Sequence, residues 1–348
     1  MLESFSRYWH EGAVGILPLG PEYLLNSADQ LALVGFAQTA HATQSAASHA
    51  IAVPAPNSPN STLVGSAGGL QIDLLWDTSV RSNSDWSAVE QAVIAAAQVY
   101  TSAFSTHAVI NVDVGLGEVN GSALNAGALG ESESNGYLTS YATVQTALAS
   151  HDAALVQSGL MAANAPAALS GLHGESFFVT SAEAKALNLT NAMATGVDGF
   201  IGLTSSSALY FTADGGAIAP SQYDAVGVAA HELSEVLGRI GMEGQSLGTH
   251  PNIYTPLDVF RYSAPNAPDI HPTAGYFSTN NGVINLGAYN NPANSGDAAD
   301  WASSSAARLN AFDAFATPGV AAQITAFLEV AALGYQVNAG HTLTTTTI

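Results

Sequence analysis

Hydrophobic and polar residues alternate most clearly at Leu70-Gln-Ile-Asp-Leu-Leu-Trp76, the two-residue period of a half-buried strand. Ser84-Asp85-Trp86 then opens a run in which Val89, Ala92, Val93, Ala96 and Val99 recur at helical spacing, predicting a helix to about Phe104. Ala108 to Val114 reads as a second strand. Residues 137–160 read as helix, and Gly199–Leu203 and Ala208–Thr212 as short strands. Ser221 or Asp224 can cap a helix that runs past His231 and stops at Gly238, whose freedom at positive φ suits a helix end. A last helix is predicted from about Val320 to Leu333. Near the start, Ser27 caps a predicted helix with Leu31, Leu33, Val34 and Phe36 on its apolar face.

Pro54, Pro56, Asn57, Pro59, Asn60 and Ser61 form a linker-like stretch before Gly68-Gly69. It divides the chain into a helical N-terminal segment with linker (1–68), a main domain (69–338, with an upper part 69–240 and a smaller lower part 241–338) and a flexible tail (339–348). Strands and helices mixed in this order predict an α+β fold with a twisted mixed sheet and long helices. No repeat of fixed period is present.

Composition narrows what such a fold can do. With 6 Lys+Arg against 27 Asp+Glu, the 348-residue chain carries a formal charge of −21. So acidic a surface repels phosphate backbones and anionic lipid, which argues against nucleic-acid or membrane partners. Charged residues make up only 9%, leaving Ser, Thr, Asn, Gly and Ala to cover the surface, and 47% hydrophobic residues argue against disorder. The absence of cysteine excludes disulfides, thiolate metal sites and a cysteine nucleophile. No segment has the ~18 apolar residues of a membrane span. Acidic, cysteine-free and nearly lysine-free composition resembles that of bacterial proteins exported to the medium. The first residues, Met1 to Arg7, lack the basic and apolar regions of a signal peptide.

The candidate chemistry is concentrated in His231-Glu232-Leu233-Ser234-Glu235-Val236-Leu237-Gly238. On a helix, His231 and Glu235 project from one face, so an imidazole nitrogen and a carboxylate oxygen can share a metal ion. A solvated polar stripe is the plain alternative. The flanking Val226, Val228, Ala229, Ala230, Leu233, Val236 and Leu237 argue against it, because a helix this apolar is buried and its acids need a partner. Ser234 lacks the GxSxG setting of a hydrolase nucleophile.

The segment resembles the HExxHxxGxxH helix of metzincins, serralysin-like enzymes in particular. His231, Glu232 and Gly238 match; Glu235 replaces the second histidine and Gly241 stands where the third is expected. Asp258-Val-Phe260-Arg-Tyr262-Ser263 resembles the Met-turn, and Phe327 to Tyr335 the closing helix. The nearest resemblance is to a bacterial group of secreted metzincin-like metalloproteases with an HExxE helix and an LDxFRYS-like segment. It implies a secreted zinc endopeptidase acting on proteins or peptides as a monomer, with zinc on His231 and Glu235, Glu232 as general base and Tyr262 as oxyanion donor. The third ligand is expected to be His250 of Leu247-Gly-Thr-His250-Pro251, with Asp258 as the alternative and His271 a poorer one. Asp297 and Asp300, in a Gly/Asn/Ser-rich loop, suggest a structural calcium site or turn capping. Glu118–Ser122 and Gly130–Ser134 read as loops able to line a cleft. The competing reading is a non-catalytic adhesin or surface-layer module that retains the fold.

Overall fold

In the computed structural model, one large mixed sheet organises the chain. The structure describes residues 32–35, 55–56, 58–162, 176–211, 216–247, 250–271, 275–294, 296–302, 310–325, 327–341 and 343. Across the sheet the strands are Gln245–Leu247, His250–Tyr254, Ser176–Thr180, Gly130–Ser140, Gly199–Leu203, Ala108–Leu116, Leu70–Trp76 and Ser61–Val64. Leu70–Trp76, Ala108–Leu116 and Gly199–Leu203 run parallel, and Gly130–Ser140 is antiparallel to Gly199–Leu203. A smaller four-stranded sheet, Ala267–Pro268, Arg261–Ala264, Tyr276–Phe277 and Gly287–Ala288, follows the site helix. The fold is α+β with a large mixed sheet.

The central strands form where Ile72, Leu74, Ile110, Val112 and Val114 bury their β-favouring side chains almost completely. Helix Trp86–Ala103 lays Val89, Ala92, Val93, Ala96 and Tyr100 against the core. The site helix Ala225–Val236 begins at Asp224, whose carboxylate accepts the Val226 N–H. It ends beside Gly238 at φ 115°, a left-handed conformation that residues with a Cβ rarely adopt. It packs on helix Trp86–Ala103 and on strands Gly130–Ser140 and Gly199–Leu203. Its close approach depends on glycine: a Cβ at Gly199 would stand 2.7 Å from Val236, and one at Gly130 would stand 2.6 Å from the Glu232 carboxylate.

Five elements differ from the sequence reading. Glu118–Ser122, expected as a loop, falls in a hairpin that pairs Glu118–Val119 with Ser122–Ala123. Ala32–Gly35, expected within a helix, is a strand paired antiparallel with residues 135–138 of Gly130–Ser140; Ser27, Leu31 and Phe36 lie outside the described residues. With Ser61–Val64 paired on Leu70–Trp76, the main sheet crosses the division placed at residue 68. Gly130–Ser134, expected as a loop, begins a strand that lasts to Ser140, so helix starts only at Tyr141, in the pieces Tyr141–His151 and Ala153–Gln157. The last helix is confined to Phe327–Ala332, because backbone groups just before it are engaged elsewhere: Ala322 N–H binds Asp224 and the Gln323 carbonyl accepts Ala311 N–H. The division after residue 240 is not clean either, since the hairpin 245–254 returns to the main sheet. The expected tail falls partly outside the described residues.

Candidate metal centre

His231, Glu232 and Glu235 lie on the site helix and are 0, 0 and 1% exposed. The His231 ring is fixed from one side: Nδ1 donates to the Ala311 carbonyl at 2.7 Å. Burial first, and the Arg239 charge among lesser effects, lowers its pKa to about 4, so the imidazole is neutral near pH 7 and its Nε2 carries a lone pair that Arg239 Nη2 approaches to 3.2 Å. That lone pair faces Glu235 Oε1 at 3.1 Å and Asp300 Oδ1 at 3.3 Å. Three electron-rich atoms so placed repel one another unless a cation or proton joins them.

Asp300 is the third member. His231, Glu235 and Asp300 each offer one donor atom, and these atoms all lie within 4.8 Å of one another. Donors ~2.1 Å from a tetrahedral zinc stand roughly 3.4 Å apart, so the separations of 3.1 and 3.3 Å around Nε2 fit such an ion. The neutral, oriented imidazole and the two carboxylates are a donor set that a metal ion can use. Ser132 Oγ donates to Glu235 Oε2 at 2.7 Å, which turns the other oxygen toward His231.

The Asp300 loop is held by two arginines that donate to successive carbonyls. Arg261 reaches Ala298 at 2.9 Å and Arg239 reaches Ala299 at 3.2 Å. Asp297 accepts the Ala299 N–H at 2.8 Å, and Trp301 stacks on Tyr289 with centroids 5.3 Å apart. Of the two residues expected to offer a calcium site or turn capping, Asp300 faces His231 and Glu235, and Asp297 caps the turn that presents it.

Carboxyl groups around the centre titrate abnormally. Burial, then the neighbouring Glu235, pushes the Glu232 carboxyl well above the usual range. Burial raises Asp300 to about 7, against the pull of His231. No donor reaches either Glu232 oxygen among the described residues. Burial works against the charge of Arg239, but Asp300, Glu329 and Glu235 around it hold the guanidinium protonated.

The other predicted site residues lie elsewhere. His250 is exposed at the start of strand His250–Tyr254, and His271 is exposed as well, so neither joins the buried group. Asp258 is buried, but its carboxylate accepts N–H groups from Met242, Glu243 and Thr255 at 3.2, 3.1 and 2.8 Å, a capping role. Tyr262 is buried against Gly282, and burial, then Tyr141 and Tyr276, raise its hydroxyl to about 12. At Gly241 a Cβ would stand 2.7 Å from Glu243 Oε1 and 3.2 Å from Asp258 Oδ1, so a histidine there would have to displace buried acids. Ser132 and Arg239 were not foreseen as partners of these residues: Ser132 stands in the polar run Gly130–Ser134, and Arg239 follows the apolar helix as its one cation.

The chain matches no family model, no curated protein and no solved structure.

Proposed function

We propose that the protein is an exported zinc-dependent endopeptidase of metzincin-like build, with zinc held by His231, Glu235 and Asp300 and with Glu232 as general base. The observation that carries this reading is the convergence of Nε2 and two carboxylates on one point beside Glu232. Zinc bound there would supply a Lewis acid for the scissile carbonyl and draw the pKa of a coordinated water towards ~7. Ala311 and Ser132 keep His231 and Glu235 oriented. Glu232 takes a proton from the attacking water and returns it to the leaving amine, which requires the ionised carboxylate; a dication beside it favours that form. Two carboxylates in the donor set neutralise more of the ion's charge than a three-histidine set and temper the reactivity. Peptide must reach residues that are closed to solvent in this structure, so turnover requires an opening at the centre.

A second reading has its own support. The same burial, with Arg239 already among the acids, suits a closed ionic core in a non-catalytic adhesin or surface-layer module. Metal content and casein cleavage separate the two. The enzyme should retain about one zinc per chain after purification, and Glu232→Gln should keep the zinc while losing ~10²–10⁴ in rate. Less than ~0.2 zinc per chain, or equal cleavage by both proteins, would sink the peptidase.

A further inference from the structure

Arg239 contacts the same three atoms that the metal centre uses. Nη2 lies 3.2 Å from His231 Nε2 and 3.6 Å from Glu235 Oε1, and Nη1 lies 3.0 Å from Asp300 Oδ1. The guanidinium is fully buried, with its carbon 5.0 Å from the centroid of Phe312. Two further bonds tether it independently of the donors: Nε to Ser234 Oγ at 2.7 Å and Nη1 to the Ala299 carbonyl at 3.2 Å. Both anchors belong to segments that carry donors, the site helix and the Asp300 loop. Neutral imidazole offers a single lone pair at Nε2, because Nδ1 has spent its proton on Ala311. That lone pair can accept from Arg239 or bind a metal, not both.

We infer that Arg239 is a tethered cation that competes with the metal for His231, Glu235 and Asp300, so that loading requires its Nη2 to leave Nε2. This rests on the metal-centre reading above. In metal-free protein the guanidinium neutralises Glu235 and Asp300 and holds the helix and the loop together, which lets the chain fold before metal arrives. Metal affinity is then a difference between two cations rather than the intrinsic strength of the donors. Once zinc is bound, the anchors at Ser234 and Ala299 keep the guanidinium beside Asp300.

Zinc affinity measured against a chromophoric chelator, with thermal melting of chelated and loaded protein, tests this in the full chain. Arg239→Met should bind zinc about tenfold more tightly or better, the factor that removing ~1.4 kcal/mol of competition gives, and its chelated form should melt below the chelated wild type, with a larger rise on loading. An unchanged or weaker affinity overturns the inference, since a merely supporting arginine would weaken the site when removed. Zinc binding by neither protein instead overturns the metal centre itself. Glu329 borders the same cation, so Arg239→Met/Glu329→Gln, with one acid fewer left unpaired, is the second variant if the first does not fold. Wild type alone also decides: in a zinc titration followed by 15N NMR, the Arg239 guanidinium and His231 Nε2 signals should move together. An Arg239 signal unmoved at full loading overturns the competition.

Discussion

Asp300 and His250 differ in everything that matters to a buried ion. His250 is a good donor type on an exposed strand end, while Asp300 is 0% exposed and gripped through the backbone on both sides. Asp300→Asn should therefore weaken zinc binding by ~10–100-fold and His250→Ala should leave it unchanged, as chelator competition will read. The opposite ranking would return the third-ligand role to the histidine. His231, Glu232 and Glu235 were legible because helical geometry alone puts positions four apart on one face. Asp300 was legible only as a polar residue in a loop, since nothing local says that Arg239 and Arg261 will bring that loop to the helix. Gly241 shows the reverse: where the motif leads one to expect a histidine, the acids Glu243 and Asp258 fill the space.

At the scale of elements, the site helix is positioned by contacts that the hydrophobic pattern could not report. Gly199→Ala would drive a methyl into Val236 at 2.7 Å, and overpacking of this kind costs ~1–3 kcal/mol. The variant should melt lower while its zinc stoichiometry, if it folds, stays at one; an unchanged melting point would mean that helix and sheet are not in close contact there. The strand Gly130–Ser140 escaped the pattern because its polar residues are buried with partners: Glu131 accepts Asn125 N–H at 2.7 Å, Ser132 binds Glu235, and Glu133 accepts from Asn120 at 2.8 Å. Alternation of apolar and polar residues cannot reveal a strand covered on both faces by polar partners. Residues 320–325 looked helical by their apolar spacing, yet their backbone brackets Ala311, whose carbonyl orients His231. Tertiary hydrogen bonds outweighed a local preference of a few tenths of a kcal/mol per residue.

Among the described residues, most of the charge that composition would put on the surface lies inside. Lys185, the single lysine, is buried on Asp198 at 2.6 Å, and Arg239 and Arg261 are buried among carboxylates. Cations sit inside as the partners of buried acids, and among the described residues only Asp85, Glu90 and Asp224 are acids that are not buried. Other buried acids lack such partners. Burial, then the nearby Asp77, raises Asp113 to about 8, and burial does most to raise Glu118 to about 8. For Asp113 the folded value lies above the unfolded one, so folding favours the protonated form. Its contribution is complete below the unfolded carboxylate range and fades as pH rises through about 8. Chelated wild type should thus melt higher at pH 5 than at pH 8, and Asp113→Asn should flatten that slope by at least ~1 kcal/mol, roughly 2 °C. A slope identical in both proteins would show that Asp113 does not carry it.

The sequence by itself determined the strands Leu70–Trp76, Ala108–Val114 (two residues short of its observed end) and Gly199–Leu203, a helix to about Phe104, and a buried helix with His231, Glu232 and Glu235 on it. Each follows from short-range periodicity and capping, which need no knowledge of distant residues. It also determined an acidic protein without cysteine. Tertiary structure alone decided that the N-terminal segment adds strands to the main sheet, that Asp300 rather than His250 or Asp258 meets His231, and that Arg239 shares those donors. These depend on which loops the core brings together, and long-range convergence is a property of packing that no local pattern encodes.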